Sequence, residues 1–380
     1  MDKTPGQNFQ EKVCQYLSLA PLLEAHVKKN TVLIIEPTDW HGEILPSVVN
    51  YLLEMGFSVD VVVTDRNFMN DLFSELKFNK SRLRIFHVFS AASIREHLFG
   101  RIMLRYKYIL LTSTDDFTGM YFPDVMRKKY SEQYLKNNIY HIEHQWSRFK
   151  ELVNESDIDY FANRAFVLHE TILDNKFELP LISPTKFGKV QSKQKNKITN
   201  FITIGRLTKD CRNFDSLIDA VENLLSKGIN NFHVDIVGRL DGDVIDNRLY
   251  DYHKNISISG TLTNKQIYRK LHESDFVLAL LDPECDEHKN FYIKHGTSGT
   301  FGTAIGFLKP IVINDVFADS YGLDRTNTLI YENNSLSDAM ESAIKMPKSN
   351  YLSMVKALSC FKKKQEQKSM NNIKKVLSFS

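Results

Sequence analysis

The chain has 380 residues, of which 42% are hydrophobic and 25% are charged, and its formal net charge is +3. These proportions are typical of a globular protein and exclude a largely disordered chain. No apolar run reaches the roughly 18 residues that a membrane-spanning helix needs. The length exceeds what one ordinary core supports, so two domains are predicted.

The first ten residues are polar and lack the apolar core of a secretion signal. The four cysteines, Cys14, Cys211, Cys285 and Cys360, are scattered and form no C-x-x-C pair. Reduced thiols and a cytoplasmic location are therefore expected, without a zinc site.

The first half of the chain alternates predicted strands with predicted helices. Helices are predicted at residues 8–29, 43–55 and 92–106. The predicted strands are Thr31–Ile35, Ser58–Thr64, Arg84–Phe89, Tyr108–Thr114, Asn138–His144 and Ala165–His169. This alternation predicts a parallel sheet with right-handed crossovers, whose ligands gather at the carboxyl ends of the strands.

Residues 180–197 break this rhythm with two prolines, one glycine and five lysines. We predict an N-terminal domain at residues 1–185, a linker at 186–197, a second domain at 198–345 and a helical segment at 346–380. In the second domain, strands are predicted at 201–204, 233–237, 256–259, 276–281 and 311–313. Helices are predicted at 214–226, 264–273 and 336–344.

A glycine-rich stretch runs from Phe291 to Asn314. Glycine lets the backbone approach a ligand closely, and the free N–H groups at a helix start attract anions. The stretch therefore predicts a diphosphate cradle at Gly296, Thr297, Ser298, Gly299, Thr300 and Thr303. An alternative is that Gly302, Gly306 and their neighbours only form a smooth helix face that packs on the sheet.

The second half resembles the nucleotide-binding domain of the GT-B glycosyltransferases, in particular family 4-like enzymes. The resemblance rests on an ordered set of motifs: Ile204-Gly-Arg-Leu207, Arg212–Phe214, Val234–Gly238, Ser259–Leu262, Glu273–Asp275 and Gly302–Ile313. It implies an α/β fold of two Rossmann-like, doubly wound domains facing a central cleft. It also implies a final helix that crosses back to the first domain.

The chain departs from this family at one motif. Retaining members carry two glutamates separated by seven residues, and the corresponding positions here are His295 and Thr303. The second glutamate binds both ribose hydroxyls, which a threonine hydroxyl cannot do. The resemblance therefore leaves the sugar donor and the stereochemical outcome open.

Two arginines are predicted to stabilise the negative charge of a departing nucleoside diphosphate. By resemblance, Arg206 and Arg212 stand where the family clamps the diphosphate, and an arginine fork suits phosphate oxygens. The alternative is that either arginine only caps the sheet or pairs with Asp210 or Asp215. The resemblance also places Gly260, Thr261 and Leu262 against the nucleobase.

The catalytic base is predicted in the first domain. His41 follows the first strand, and Asp39 or Asp115 would orient it; the alternative is a loop histidine that packs on Trp40. His141 and Glu143 share one face of a predicted strand, with His144 on the other face. We predict that Asp115, His141 and Glu143 bind the acceptor, with a satisfied core histidine as the alternative for this cluster, and no metal site is expected.

Together these features predict a metal-independent glycosyltransferase of bacterial-type surface polysaccharide synthesis. It would move a sugar from a nucleotide-sugar donor to a glycan or lipid-linked acceptor, without a cofactor and without binding nucleic acid. The alternatives are a sugar-nucleotide 2-epimerase of the same fold, or a non-catalytic subunit that binds a glycan or a partner enzyme.

The last thirty residues hold seven lysines and one glutamate and read as a basic helix. The apolar spacing over Tyr351–Phe361 predicts that this part docks on the protein. From Lys362 onward apolar residues are sparse, so this segment is expected to lie free and to bind an anionic membrane surface peripherally. Its deletion is expected to leave the fold intact.

Overall fold

The computed structural model describes residues 20–39, 41–76, 81–88, 102–113, 131–144, 164–169, 179–188, 195, 197–208, 212–239, 246–332 and 335–378. The chain forms two compact units. Unit 1 comprises Met1–Leu168, Leu173–Ile182 and Ser369–Ser380, and unit 2 comprises His169–Ile172 and Ser183–Lys368. Each unit is built on a six-stranded sheet. The two-unit α/β fold that the sequence predicts is therefore confirmed.

Unit 1 contains a parallel sheet in the order β3-β2-β1-β4-β5-β6. Its strands are β1 (Thr31–Ile35), β2 (Ser58–Thr64), β3 (Leu83–Val88), β4 (Tyr108–Leu111), β5 (Ile139–Glu143) and β6 (Ala165–Val167). The described helices are α1 (Leu45–Glu54), α2 (Asp65–Met69) and α3 (Glu132–Asn138). Every residue of β1 is buried, as expected for a central parallel strand that is covered on both faces.

Unit 2 contains a parallel sheet in the order β12-β11-β10-β7-β8-β9. Its strands are β7 (Thr199–Arg206), β8 (Phe232–Arg239), β9 (Ile256–Gly260), β10 (Phe276–Leu278), β11 (Ile311–Asn314) and β12 (Leu329–Tyr331). The helices are α4 (Phe214–Ser226), α5 (Asn264–Glu273), α6 (Asp286–Lys289), α7 (Gly299–Gly306), α8 (Asp315–Ser320), α9 (Leu336–Lys345) and α10 (Lys348–Ser378). A π-helix at Asn290–His295 leads from α6 towards α7.

Several strands end earlier than the apolar pattern predicts, and the differences are largest in β4 and β10. β4 ends at Leu111 because the hydroxyls of Thr112 and Ser113 turn to a buried carboxylate, Glu36. β10 ends at Leu278, and Leu280 takes a left-handed backbone conformation with φ 50°. The predicted helices at 8–29 and 92–106 fall largely outside the described residues. Of these, residues 20–24 are helical and Met103–Arg105 form a 3₁₀ turn.

Lysine side chains cap the carboxyl ends of several helices in unit 2. Lys362 donates from Nζ to the carbonyl oxygen of Gly306 at 2.7 Å, at the end of α7. Lys309 donates to Ser274 O at 2.7 Å behind α5, and Lys195 donates to Ile344 O at 2.7 Å in α9. Each ammonium satisfies terminal carbonyls and complements the negative end of the helix dipole.

The C-terminal helix α10 is a single helix of 31 residues that contributes to both units. Its residues 369–378 belong to unit 1, where Ile373 and Leu377 are buried and Asn372 Nδ2 donates to Leu181 O at 2.9 Å. The expectation that the segment from Lys362 onward lies free of the protein is therefore wrong. Its apolar residues are few, but they recur at helical spacing and pack on unit 1.

Lys362 is buried, so it is not part of any basic surface. The exposed lysines of α10 are Lys348, Lys356, Lys363, Lys364, Lys368, Lys374 and Lys375. Their binding to an anionic surface stays a prediction. None of the helices in the described part of the chain is long and apolar enough to cross a membrane.

The docking of the last turns of α10 gives a stability prediction. Ile373→Ala is expected to destabilise unit 1 by about 2–5 kcal/mol, the usual cost of truncating a buried isoleucine. Lys374→Ala, on the exposed side of the same turn, is the matched control and should change stability by less than about 0.5 kcal/mol. Urea unfolding followed by circular dichroism measures both. Equal midpoints for the two variants would contradict the docking.

Candidate functional site

The start of α7 lies at the carboxyl ends of the strands of unit 2. Ser298 is its N-cap residue and makes no side-chain cap hydrogen bond, while its backbone N–H donates to Tyr321 Oη at 3.3 Å. Within the described residues, no hydrogen bond uses the backbone N–H of Gly299 or Thr300. The first turn of α7 therefore keeps backbone donors available for an anion.

Tyr321 supports this turn and was not predicted from the sequence. Its ring stands perpendicular to Phe301, with the ring centroids 4.4 Å apart, and its hydroxyl accepts from Ser298 N. Burial raises the pKa of Tyr321, so the hydroxyl stays protonated at neutral pH. An aromatic residue at the end of a short helix carries no sequence signal that distinguishes this role from ordinary packing.

Arg212 joins the end of β7 to the start of α7. Its buried guanidinium donates from Nη2 to Ile204 O at 2.8 Å and to Thr300 Oγ1 at 3.2 Å. Gly205 permits this contact, because a Cβ there would lie 2.7 Å from Arg212 Nη2 and its φ is +124°. The positive charge of Arg212 is thus fixed beside the first turn of α7.

Arg206 ends β7 and lies in register with Arg239 at the end of β8. Paired residues of neighbouring strands project from the same face of a sheet, so two positive charges neighbour each other there. Arg239 was not predicted from the sequence. The available signal was the repeated Gly-Arg pair at the ends of two successive strands, Gly205-Arg206 and Gly238-Arg239. The proposed pairing of Arg212 with Asp215 is not seen, since Asp215 pairs with Arg248, and Asp210 lies outside the described residues.

The threonine hydroxyls of the cradle donate to backbone carbonyls. Thr300 Oγ1 donates to Ile204 O at 2.9 Å, and Thr303 Oγ1 donates to Gly299 O at 2.8 Å. Each hydroxyl has one proton, so these side chains offer a ligand only their remaining lone pairs. The backbone N–H groups are therefore the main donors of the stretch. Gly296 and Thr297 directly precede the N-cap residue of this helix. The side chain of His295 lies outside the described part of the structure.

Three of the four clustered glycines serve packing: Gly296 lies against the ring of Phe291, and Gly302 and Gly306 lie against one other segment. A Cβ on Gly302 would lie 2.9 Å from Pro184 Cγ, and a Cβ on Gly306 would lie 2.8 Å from Thr185 O. Both glycines thus face the segment at 184–187. The smooth helix face considered in the sequence analysis exists at these two positions, but it packs on this segment.

The predicted nucleobase loop connects β9 to α5. Gly260 has φ +63°, and Thr263 begins α5 with a capping box that it forms with Gln266. Leu262 packs against the core of unit 2. The role of Gly260, Thr261 and Leu262 in binding a base stays a prediction.

Unit 1 carries a polar cluster at the carboxyl ends of β1 and β4. Glu36, which follows β1, is fully buried, and its Oε1 accepts from Thr38 N at 2.8 Å and from Thr38 Oγ1 at 2.7 Å. Its Oε2 accepts from Thr112 Oγ1 at 2.8 Å and from Ser113 Oγ at 3.2 Å. Burial raises the pKa of Glu36, and the charge of His41 opposes that rise. Glu36 was not predicted as a site residue from the sequence, although an acidic residue directly after a buried strand is a signal for one.

His41 and His144 lie together in this cluster, with ring centroids 3.9 Å apart. His144 Nε2 donates to Thr112 O at 2.9 Å, which leaves Nδ1 as the acceptor nitrogen of the neutral ring. Burial, followed by the nearby His41, lowers the pKa of His144 well below its usual value. His144 therefore stays neutral, which leaves His41 as the candidate base of this pair.

The other predicted residues of unit 1 have internal partners. Asp39 Oδ1 accepts from Thr64 Oγ1 at 2.5 Å, while His41 Nδ1 lies 3.8 Å from Glu43 Oε1. His141 Nδ1 and Glu143 Oε1 are 2.5 Å apart and both side chains are almost fully buried. Asp115 and Trp40 lie outside the described residues. Among the described residues, no group of three or more His, Cys, Asp or Glu side chains could hold a metal ion.

Comparison with known proteins shows the fold. No family model matches the chain, and no curated protein matches it. Trehalose-6-phosphate synthase OtsA aligns with a TM-score of 0.54 and 10% identity, covering 91% of this chain and 98% of that one. S. aureus MnaA bound to UDP aligns at 0.54 and 13%, covering 92% and 98%.

An α-glucosyltransferase in complex with UDP and a 13-mer DNA also aligns, at 0.54 and 11%, covering 90% of this chain and 94% of that one. At such low identities the likeness establishes the fold alone. The chain has the GT-B fold of glycosyltransferases.

Proposed function

We propose that this chain is a metal-independent glycosyltransferase that moves a sugar from a nucleotide-sugar donor to a glycan or lipid-linked acceptor of surface polysaccharide synthesis. The observation that carries the proposal is the arrangement at the start of α7. Arg212 contacts Thr300 in the first turn, and the N–H groups of Gly299 and Thr300 remain available to an anion. Among the structures of this fold, S. aureus MnaA and the α-glucosyltransferase are in complex with UDP.

This arrangement suits the chemistry of a diphosphate leaving group. Breaking the bond between the sugar and the diphosphate develops about one additional negative charge on phosphate oxygens. Fixed guanidinium groups and backbone N–H dipoles stabilise that charge without reorganising during the reaction. In our proposal Arg206 and Arg212 supply the cations, and within the stretch Gly296–Thr303 the N–H groups of Gly299 and Thr300 supply the backbone donors.

The cluster of unit 1 supplies the acid–base groups of the proposal. His41 takes the proton of the acceptor hydroxyl, and the neutral ring of His144 lies against it. Asp39 holds the loop before His41 to the end of β2 through Thr64. The acceptor would lie beside this cluster, with His141 and Glu143 fixing the end of β5 as an internal pair.

A second candidate, a sugar-nucleotide 2-epimerase, gains support from the same cluster. Such an enzyme needs several acid and base groups, and Glu36, His41 and His144 provide more of them than the sequence analysis expected. Incubating UDP-sugars without an acceptor and following the ring protons by NMR separates the two activities. Epimerised nucleotide-sugar would support this candidate, whereas unchanged donor together with transfer to added glycans would support a transferase.

The proposal is tested by thermal shift with nucleoside diphosphates and their sugars, because a ligand of the folded state raises the melting temperature. We expect one nucleoside diphosphate to stabilise unit 2 and its sugar to be consumed when glycan or lipid-linked acceptors are added. Tight binding without transfer or epimerisation would favour a non-catalytic glycan- or partner-binding subunit. No stabilisation by any nucleotide would contradict the proposed function.

A mutational prediction concerns the arginines. Arg206→Ala is expected to lower kcat by about 10²–10³-fold, the usual cost of removing one donor to a developing charge. Arg239→Ala should show whether Arg239, which is in register with Arg206, shares its role. Arg248→Ala is the matched control, since Arg248 pairs with Asp215 and Asp246 on the surface of the same unit. Steady-state transfer rates measured with and without EDTA provide the readout. An unchanged kcat in Arg206→Ala, or full loss of activity with EDTA, would contradict the metal-free clamp.

A further inference from the structure

Glu36 is a buried carboxylate that the proposed reaction does not use directly. Its two oxygens accept four hydrogen bonds, from the backbone N–H and hydroxyl of Thr38 and from the hydroxyls of Thr112 and Ser113. Filling the lone pairs with donors stabilises the ionised form, while burial opposes it. Whether Glu36 is ionised therefore also depends on the charges of the neighbouring groups.

The hydrogen bonds around Glu36 can be satisfied in either protonation state. Thr112 Oγ1 lies 2.8 Å from Glu36 Oε2 and 3.2 Å from Ile35 O. When Glu36 is ionised, Thr112 donates its proton to the carboxylate. When Glu36 is protonated at Oε2, it donates to Thr112, whose own proton turns to Ile35 O. Neither state leaves a buried polar atom without a partner.

The nearest change of charge comes from His41. Its backbone N–H lies 3.4 Å from Thr38 Oγ1, the hydroxyl that donates to Glu36, and its ring lies against His144. The His41 ring is joined to the Glu36 network through His144, whose Nε2 donates to Thr112 O, while the hydroxyl of Thr112 donates to Glu36. The charge of His41 opposes the rise in the pKa of Glu36 that burial causes. When two titrating groups interact across a buried network, the protonation of one depends on the protonation of the other.

We propose that Glu36 is a positioning residue that sets the charge of His41, with the buried carboxylate supplying the counter-charge when His41 takes up a proton. The role of His41 as the base rests on the proposed function, but the electrostatic link between the two residues does not. Burial strengthens this link, because charges interact more strongly where water is excluded.

The other ionisable groups of the cluster also bear on the charge of His41. Glu43 lies 3.8 Å from His41 Nδ1 and its side chain is about one-third exposed. Asp39 is bonded to Thr64, and His141 is paired with Glu143. His144 is neutral, and Asp115 lies outside the described residues. Glu43 is therefore the natural comparison for Glu36: it is also a carboxylate near His41, but solvent screens its charge.

The test uses the full chain labelled with ¹³C at histidine Cε1 and titrated by NMR. The signal of His41 is assigned by its loss in His41→Gln. Glu36→Gln is expected to lower the pKa of His41 by about 1 pH unit, because the neutral amide no longer stabilises the imidazolium. Glu43→Gln should lower it less, and Thr38→Val, which keeps the carboxylate, should also lower it less. An unchanged pKa of His41 in folded Glu36→Gln, or a larger effect of Glu43→Gln, would overturn the proposal.

A reciprocal measurement decides the case if Glu36→Gln does not fold. In His41→Gln labelled at glutamate Cδ, the pKa of Glu36 should rise above that in the wild-type chain, because a neighbouring positive charge has been removed. An unchanged titration of Glu36 would overturn the proposal. Neither measurement requires catalysis, so a failure of the proposed transferase activity would not be mistaken for a failure of this link.

Discussion

Gly299→Val is expected to abolish nucleoside diphosphate binding while leaving unit 2 folded. Gly299 begins α7, where the backbone N–H groups of the first turn face the proposed diphosphate. A branched side chain there would keep the phosphate oxygens from the N–H groups of Gly299 and Thr300, and hydrogen bonds to a charged group are lost steeply with distance. Isothermal titration with the nucleoside diphosphate that stabilises the wild-type chain measures the effect.

Gly302→Ala is the matched control on the same helix. Its new Cβ would lie 2.9 Å from Pro184 Cγ, so this substitution should lower the melting temperature through packing. Nucleotide affinity should remain, because Gly302 faces the segment at 184–187. The two variants thus separate the glycine that serves a ligand from the glycine that serves packing. Wild-type nucleotide affinity in folded Gly299→Val would contradict the cradle.

The sequence predicts most of the fold because both sheets are buried on two faces. β1 and β2 have the predicted bounds, since a run of apolar, β-branched residues between turn residues has few alternatives. The ends of β4 and β10 were misplaced. The hydroxyl contacts of Thr112 with Glu36 and the left-handed conformation of Leu280 depend on residues that are distant in sequence, and hydrophobicity does not record them.

The candidate site was predicted less completely, for a related reason. Arg206 and Arg212 lie near the carboxyl end of β7, at the positions that the resemblance implied. Arg239, in contrast, becomes apparent only through the register of β7 and β8. The prediction placed His144 on the opposite strand face from His141 and Glu143, because side chains alternate between faces along a strand. β5 ends at Glu143, so the alternation no longer applies at His144, whose ring turns towards His41.

The base of the proposed reaction provides the last prediction. His41→Ala is expected to lower the rate of transfer by about 10²–10⁴-fold, the usual contribution of a positioned base. Donor affinity should be preserved, because the proposed diphosphate donors all belong to unit 2. A base acts only when deprotonated, so the wild-type rate should fall as the pH drops below the pKa of His41, and this acidic limb should vanish in the variant.

His141→Ala serves as the control for this experiment, because His141 is a buried histidine whose partner is Glu143. Removing it should lower stability, while the residual enzyme should keep the acidic limb of the pH profile. The measurements are kcat and kcat/KM for transfer between about pH 5 and pH 9. If His41→Ala retained both its rate and its acidic limb, the proton would have to leave by another route.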